Sequence, residues 1–489
     1  MNHLKTSDLT VIARRTMFEN NFVIDFPPEV TQEIETLENN CQPFAANSSV
    51  RDLRLLRWSS IDNKSSLDLD QIEYAEQLPN GDIKILVGIA DVDALVPQNS
   101  AIDKFAAQNT VTIYTESVIF PMLPAQLSTD LTSLREDVDR LAIVVEMIVS
   151  ATGETGASNV YRALVKNYAK LSYEETGAWL DENTAPPAIF LKVEGLREQI
   201  LLQQKAALGL AKFRREKGAL EFETVESEAV TSGGEITNLK TVLPNAAQNI
   251  IENLMIAANV EMAEFLESKN IASLRRVVKT PARWEGICRI AAAFGENLPE
   301  MPDSLALSNF LEKRKAADAI HFPDLSLSII KLLGAGEYVV QLPNEDAGGH
   351  FGLAVRDYAH STAPNRRYSD LIVQRLVKAA LENKPSLYSI EELQAIAAHC
   401  NERESAARKV ERQMRKVVAA SVMQNRVGEI FDAIVTGITP SGTFARILRP
   451  PVDGRIIKGE ENLKIGEQIS VRLIGTNVER GFIDFVCER

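Results

Sequence analysis

Apolar residues change their spacing several times along the chain, and each spacing predicts a different element. The stretch GDIKILVGIADVDALV (81–96) follows Asn80-Gly81 and is almost continuously apolar, which predicts one buried strand behind a hairpin turn. LAIVVEMIVSATG (141–153) predicts a second strand closed by a turn, and IDKFAAQNTV (102–111) a short helix. Residues 173–216 are mostly of helical period, interrupted at Pro186-Pro187. Residues 246–268 repeat their apolar positions at helical spacing, and 386–424 do so again, with ERESAARKVERQMRKVV on the polar side. Before Arg51 the signals are local: VIARRTMF (11–18) predicts a short helix, and VIDFPPEV (23–30) is stopped by Pro27 and Pro28. After Asn425 the period becomes two. VGEIFDAIVTGITPSGTFARIL and ISVRLIGTNVERGFIDFVCE are short alternating strands between Gly and Pro turns, the pattern of a small antiparallel barrel. The expected organisation is an N-terminal extension (1–50), an α+β body (51–425) and a β-barrel (426–489).

Composition narrows the classes. With 489 residues, 45% hydrophobic and 25% charged, the chain is of ordinary globular make-up. No apolar run approaches the ~18 residues that span a bilayer, and the N-terminus lacks the basic start and apolar core of a secretory leader. Cys41, Cys288, Cys400 and Cys487 are far apart, and the five histidines form no HExxH or HxxxH pair. A disulfide framework and a zinc site are therefore not expected, and a cytoplasmic location is. The net charge of −14 argues against coating nucleic acid by bulk charge, but not against a locally positive channel.

Two segments carry candidate chemistry. In SSIDNKSSLDLDQIEYAE (59–76), Asp68 and Asp70 are two apart, so an extended backbone points both to one side. Asp62 precedes a polar NKSS loop that can fold back toward them. Three convergent carboxylates suit a hard cation such as Mg2+ and the hydrolysis of a phosphodiester. By itself the segment reads more readily as a solvated acidic loop, since DxD pairs are common in turns. In HFGLAVRDYAHSTAPNRRYSDLIVQR (350–375), Arg366 and Arg367 follow Pro364 at an expected helix start, where a guanidinium fork clamps phosphate. A surface arginine pair with a Tyr–Asp hydrogen bond explains that segment as well.

The order of these segments resembles the catalytic domain of the ribonuclease II / ribonuclease R family, hydrolytic 3′→5′ exoribonucleases. DLRLLRWSSID and DLD (52–62, 68–70), VGIADVDALV (87–96), FPMLPAQLSTDLTSL (120–134), AKLSYEE (169–175), GALEFE (218–223), IIENLMIAAN (250–259) and HSTAPNRRYSDLIVQR (360–375) follow in the family's sequence, over about residues 51–425. The C-terminal strands resemble an OB-fold domain of the ribosomal-protein S-one type, with Gly437, Gly442 and Phe444 at its turn glycines and exposed aromatic. Phe431 is expected in the barrel core.

The resemblance implies a magnesium (or manganese) site at Asp62, Asp68 and Asp70. Asp68, Asp70 and Arg366 would act in catalysis, releasing nucleoside 5′-monophosphates from single-stranded RNA. It implies that Tyr114 stacks on the terminal base, and that Arg366, Arg367, Glu411, Arg412 and Phe444 contact RNA. Glu252 fits either this set or a buried structural carboxylate. The family's fourth acid is here Gln71, an amide that can ligate but brings no charge. Two outcomes stay open: an enzyme with an altered site, or an RNA-binding protein that has lost activity. Further expectations are a monomer, poor action on DNA, and lower processivity, since about fifty residues before Arg51 are too few for two cold-shock domains.

Overall fold

The computed structural model describes residues 6–40, 49–182, 184–224, 226–232, 235–345, 347–440 and 442–488. Two helices open the chain, Thr6–Glu19 and Pro28–Asn40. Pro28 takes the first helical position, where its missing N–H costs nothing, so the proline pair ends one segment and begins the next. The first helix is longer than the short one expected at 11–18.

A six-stranded mixed sheet follows, built from Val50–Asp52, Trp58–Asp62, Gln71–Gln77, Ile83–Ala90, Asp139–Val149 and Thr155–Ser172. Gln71–Gln77 and Ile83–Ala90 form the hairpin expected at Asn80-Gly81. The second of these strands is shorter than 81–96. Asp91 leaves the ladder because its fully buried carboxylate meets Arg162 and Lys378, and Asp93 pairs with Arg375. The 18-residue strand Thr155–Ser172 pairs antiparallel with Asp139–Val149 in its first part and parallel with Trp58–Asp62 in its last. The sheet thereby closes back on itself.

Helices cover this sheet. Leu196–Glu216 lies on Gln71–Gln77, where the Gln199 amide exchanges hydrogen bonds with the N–H and C=O of Ala75. Ala246–Ser268 is nearly all apolar on its buried side and starts in a capping box at Asn245 and Gln248. The Tyr368–Leu381 helix is buried along almost its whole length. Three further helices, Trp284–Ala293, Ser304–Ala317 and Phe322–Leu333, hold a separate small core around Trp284, Phe310 and Ile329.

The 34-residue helix Ile390–Met423 joins the parts. Val410, Met414 and Val417 pack with Leu9, Ala13 and Met17 of the first helix, and Ala420 and Met423 enter the core of the C-terminal barrel. That barrel is closed by five strands, Ile430–Thr439, Gly442–Leu448, Pro451–Lys458, Gln468–Asn477 and Phe482–Glu488. Phe431 lies in its core as expected. Gly481, at φ +64°, sits so close to the long helix that a Cβ would meet Lys416 Cβ at 2.7 Å. The fold is α+β, a mixed sheet with surrounding helices followed by an OB-like barrel.

Candidate active site

Asp62 ends its strand, and the next turn is built on its carboxylate. Asp62 Oδ1 accepts from the Asn63 N–H at 2.6 Å and from the Ser66 hydroxyl at 2.9 Å. Lys170 Nζ donates to the carbonyls of Lys64, at 2.9 Å, and Ser66. The turn sends the chain back, so that Asp62, Asp68, Asp70 and Gln71 all line one cavity of about 320 Å³. Tyr114, Tyr173, Ile251, Met255, Thr362 and Arg366 complete its wall.

Asp70 is the most constrained of these groups. It is 2% exposed, and its Oδ1 accepts from the Asn365 N–H at 2.9 Å. Its Oδ2 has no hydrogen-bond partner, and Arg366 Nε stands 3.5 Å away. Burial pushes the carboxyl up to about 7, against the opposing pull of Arg366. Asp68 Oδ2 accepts the Tyr114 hydroxyl at 2.6 Å. Burial and that carboxylate push the Tyr114 phenol upward, so it stays protonated and donates.

Among the described residues, no three acidic, histidine or cysteine side chains converge closely enough to hold a metal ion between them. The Tyr114 hydroxyl holds Asp68, while Ser66 and Asn63 hold Asp62. The donor set nevertheless suits a hard cation. Every candidate ligand is an oxygen, and the buried, unpartnered Asp70 Oδ2 is costly unless a cation or donor meets it.

The sequence profile of the RNB domain matches residues 50–383. The chain belongs to the RNB-domain family. The RNase II-type exonuclease C-terminal S1 domain matches residues 429–488. Ribonuclease R of Vibrio cholerae is 29% identical over 506 residues, covering 94% of this chain and 59% of that protein. The chain thus spans 59% of the length of this curated relative. The structure of Mycoplasma genitalium RNase R in complex with ribose methylated single-stranded RNA has a TM-score of 0.88 at 23% identity, covering 98% of this chain and 78% of that one. Yeast Ssd1, described as a pseudonuclease, has a TM-score of 0.71 at 17% identity, covering 92% and 56%. The RNB fold is shared by a ribonuclease and a pseudonuclease, so chemistry has to be read from side chains.

Several residues singled out in the sequence stand elsewhere than in the cavity wall. Arg367 turns inward: its Nη2 donates to Asp370 Oδ1 at 2.7 Å, and it does not line the cavity. A helix start can present only one of two successive side chains to a given side, and Arg366 is the one presented. Glu411 is not part of the cavity wall; its carboxylate stands beside the Tyr114 backbone. Arg412 is exposed on the polar side of the long helix and is not part of the wall. Glu252 is exposed and faces the half-buried Arg214, so it is not a buried structural carboxylate, while its neighbours Ile251 and Met255 reach the cavity. Phe444 is half-buried on the outer side of the barrel, between the inward-facing Thr443 and Ala445, with Arg455 as its cross-strand partner.

Tyr173 belongs to the wall as well. It follows Ser172, the parallel-strand partner of Asp62. No local signal in the sequence announces a parallel pairing across more than a hundred residues. Thr362 is likewise delivered by tertiary contacts: Asn259 Oδ1 accepts both the N–H and the hydroxyl of Ser361 at 2.8 Å.

Proposed function

We propose that the protein is a magnesium-dependent 3′→5′ exoribonuclease that degrades single-stranded RNA to nucleoside 5′-monophosphates. The observation that carries this reading is one cavity in which Asp62, Asp68, Asp70 and Gln71 face Arg366, drawn from opposite ends of the RNB domain.

Asp62, Asp68 and Asp70, with the carbonyl oxygen of Gln71, would hold the cation. When bound, it supplies activation of water and neutralisation of phosphodiester charge. Arg366, half-exposed and directed at Asp70 Oδ2, offers a guanidinium to the negative charge that grows on the attacked phosphate. Tyr114 and Tyr173 present aromatic faces on which the terminal base can stack. The Tyr114 hydroxyl keeps Asp68 oriented between turnovers. Ile251 and Met255 give the cavity an apolar side that limits water. Discrimination against DNA would use the ribose 2′-OH. Phe444 on the barrel would hold upstream RNA. Cys400 is buried and in no disulfide, which fits work in the reducing cytosol, and no described helix is long and apolar enough to cross a membrane.

The test is a gel time course on 5′-labelled single-stranded RNA with magnesium and with EDTA, beside DNA of the same sequence. A magnesium-dependent ladder shortening from the 3′ end on RNA alone is expected. A clear gel shift with no cleavage in magnesium or manganese would overturn the reading.

A further inference from the structure

The run FPMLPAQLSTDLTSL (120–134) contributes no side chain to the cavity wall, and its acid, Asp130, pairs with Arg135 on the surface. Its last residues are nonetheless tied to both halves of the site. Residues Leu127–Leu131 form a single π-helical turn, which Thr132 closes by donating its N–H to the Leu127 carbonyl at 3.0 Å. Such a turn carries one residue more than an α-turn and recurs at functional sites. It leaves two consecutive hydroxyls aimed at two different segments.

Ser133, fully buried, donates its hydroxyl to the Leu67 carbonyl at 2.7 Å and accepts from the Leu69 N–H at 3.0 Å. The Leu134 N–H donates to the Leu69 carbonyl at 2.9 Å. The backbone on both sides of Asp68 is thus held by one serine and its neighbour. The hydroxyl of Thr132 lies 2.8 Å from the Leu127 carbonyl and 2.6 Å from the side-chain amide of Asn365. One hydroxyl has one proton. The Leu127 carbonyl already accepts the Thr132 N–H, so the hydroxyl gives its proton to Asn365 Oδ1. Asn365 in turn donates its backbone N–H to Asp70 Oδ1 and is followed by Arg366.

We propose that Thr132 and Ser133 are positioning residues for the reaction: one buried turn fixes the Asp68–Asp70 segment and the Asn365–Arg366 segment against each other, and so sets the 3.5 Å approach of Arg366 to Asp70. This rests on the hydrolytic reading above and explains a segment that supplies no reacting group.

Thr132→Val keeps the shape and removes the hydroxyl; Thr132→Ser keeps the hydroxyl; Ser133→Ala frees the loop at 67–69. For Thr132→Val and Ser133→Ala, kcat is expected to fall roughly 10- to 100-fold with KM for RNA little changed, as for groups that orient ligands rather than bind substrate. The dissociation constant for Mg2+ alone, measured by calorimetry without RNA, is expected to weaken about tenfold, and Thr132→Ser should restore both. If the variants lose only melting temperature, with kcat and Mg2+ affinity unchanged well below it, the two residues are merely structural and the proposal is overturned. Should Ser133→Ala fail to fold, the Thr132 pair decides. A wild-type protein that neither hydrolyses RNA nor binds Mg2+ overturns the hydrolytic reading and this proposal together. A wild-type protein that does both, matched by its variants, overturns this proposal alone.

Discussion

Gln71 stands where the family resemblance puts a fourth acid, yet the strand is not short of carboxylates. Glu73, two residues on and on the same strand face, has both oxygens buried without a partner. Burial, with Asp62 nearby, raises it well above the usual carboxylate range, as burial raises Asp70 to about 7. A carboxyl raised on folding ionises first in the unfolded chain. Its contribution to stability is therefore full below the ordinary carboxylate range and falls as pH rises toward the folded value, here across about 4 to 7. In EDTA at high pH, Asp70→Asn should melt higher than wild type, by a stability difference on the order of a few kcal/mol, and the gap should close in acid. The same variant should lose hydrolysis by at least about a hundredfold while binding RNA as before, checked by single-turnover rates and anisotropy. A proton and a cation compete for Asp70, so the Mg2+ concentration for half-maximal rate should rise as pH falls from about 8 to about 6. Gln71→Asp should lower that concentration, as a magnesium titration of the rate would show.

At the scale of elements, the strand Thr155–Ser172 does two jobs. Its parallel half brings Ser172 beside Asp62 and so sets Tyr173 into the wall, and Lys170 on the same half holds the turn at 63–66. Two donations from a charged amine to loop carbonyls are strong restraints. Lys170→Met keeps the stem and removes the donor. It should slow hydrolysis roughly 10- to 100-fold, the cost of misplacing a ligand-bearing loop, with little change in the melting curve. Rate and melting temperature measured on one preparation would separate the two effects.

The whole molecule is organised by the helix Ile390–Met423. It is buttressed by the first helix at Val410 and Met414, sets Glu411 beside the Tyr114 backbone, and ends inside the barrel at Ala420 and Met423. One helix thereby packs both on Ile113 and Phe120 of the RNB domain and in the barrel core. Phe444 offers an aromatic on the barrel's outer side, paired with Arg455. Phe444→Ala should weaken binding of a long RNA by roughly 1–3 kcal/mol while leaving kcat on a short oligonucleotide unchanged. Anisotropy titrations and rates on the two substrates would check this.

Local chemistry was legible in the residues themselves. The acidic loop, Arg366, the long amphipathic helices and the period-two strands after Asn425 announce themselves by type and spacing, because those signals act between near neighbours, whereas Tyr114 was pointed to only by the family resemblance. Tertiary structure decided what no local spacing encodes. It turned Arg367 inward to Asp370, buried Glu73, placed Tyr173 beside Asp62, and joined Asp70 to Asn365, 295 residues away, through one backbone hydrogen bond. The sequence by itself determined which groups could carry the reaction. Only the closing of the sheet and the packing of helices on it determined which of them meet, since a contact between distant segments depends on the whole fold rather than on the residues flanking either partner.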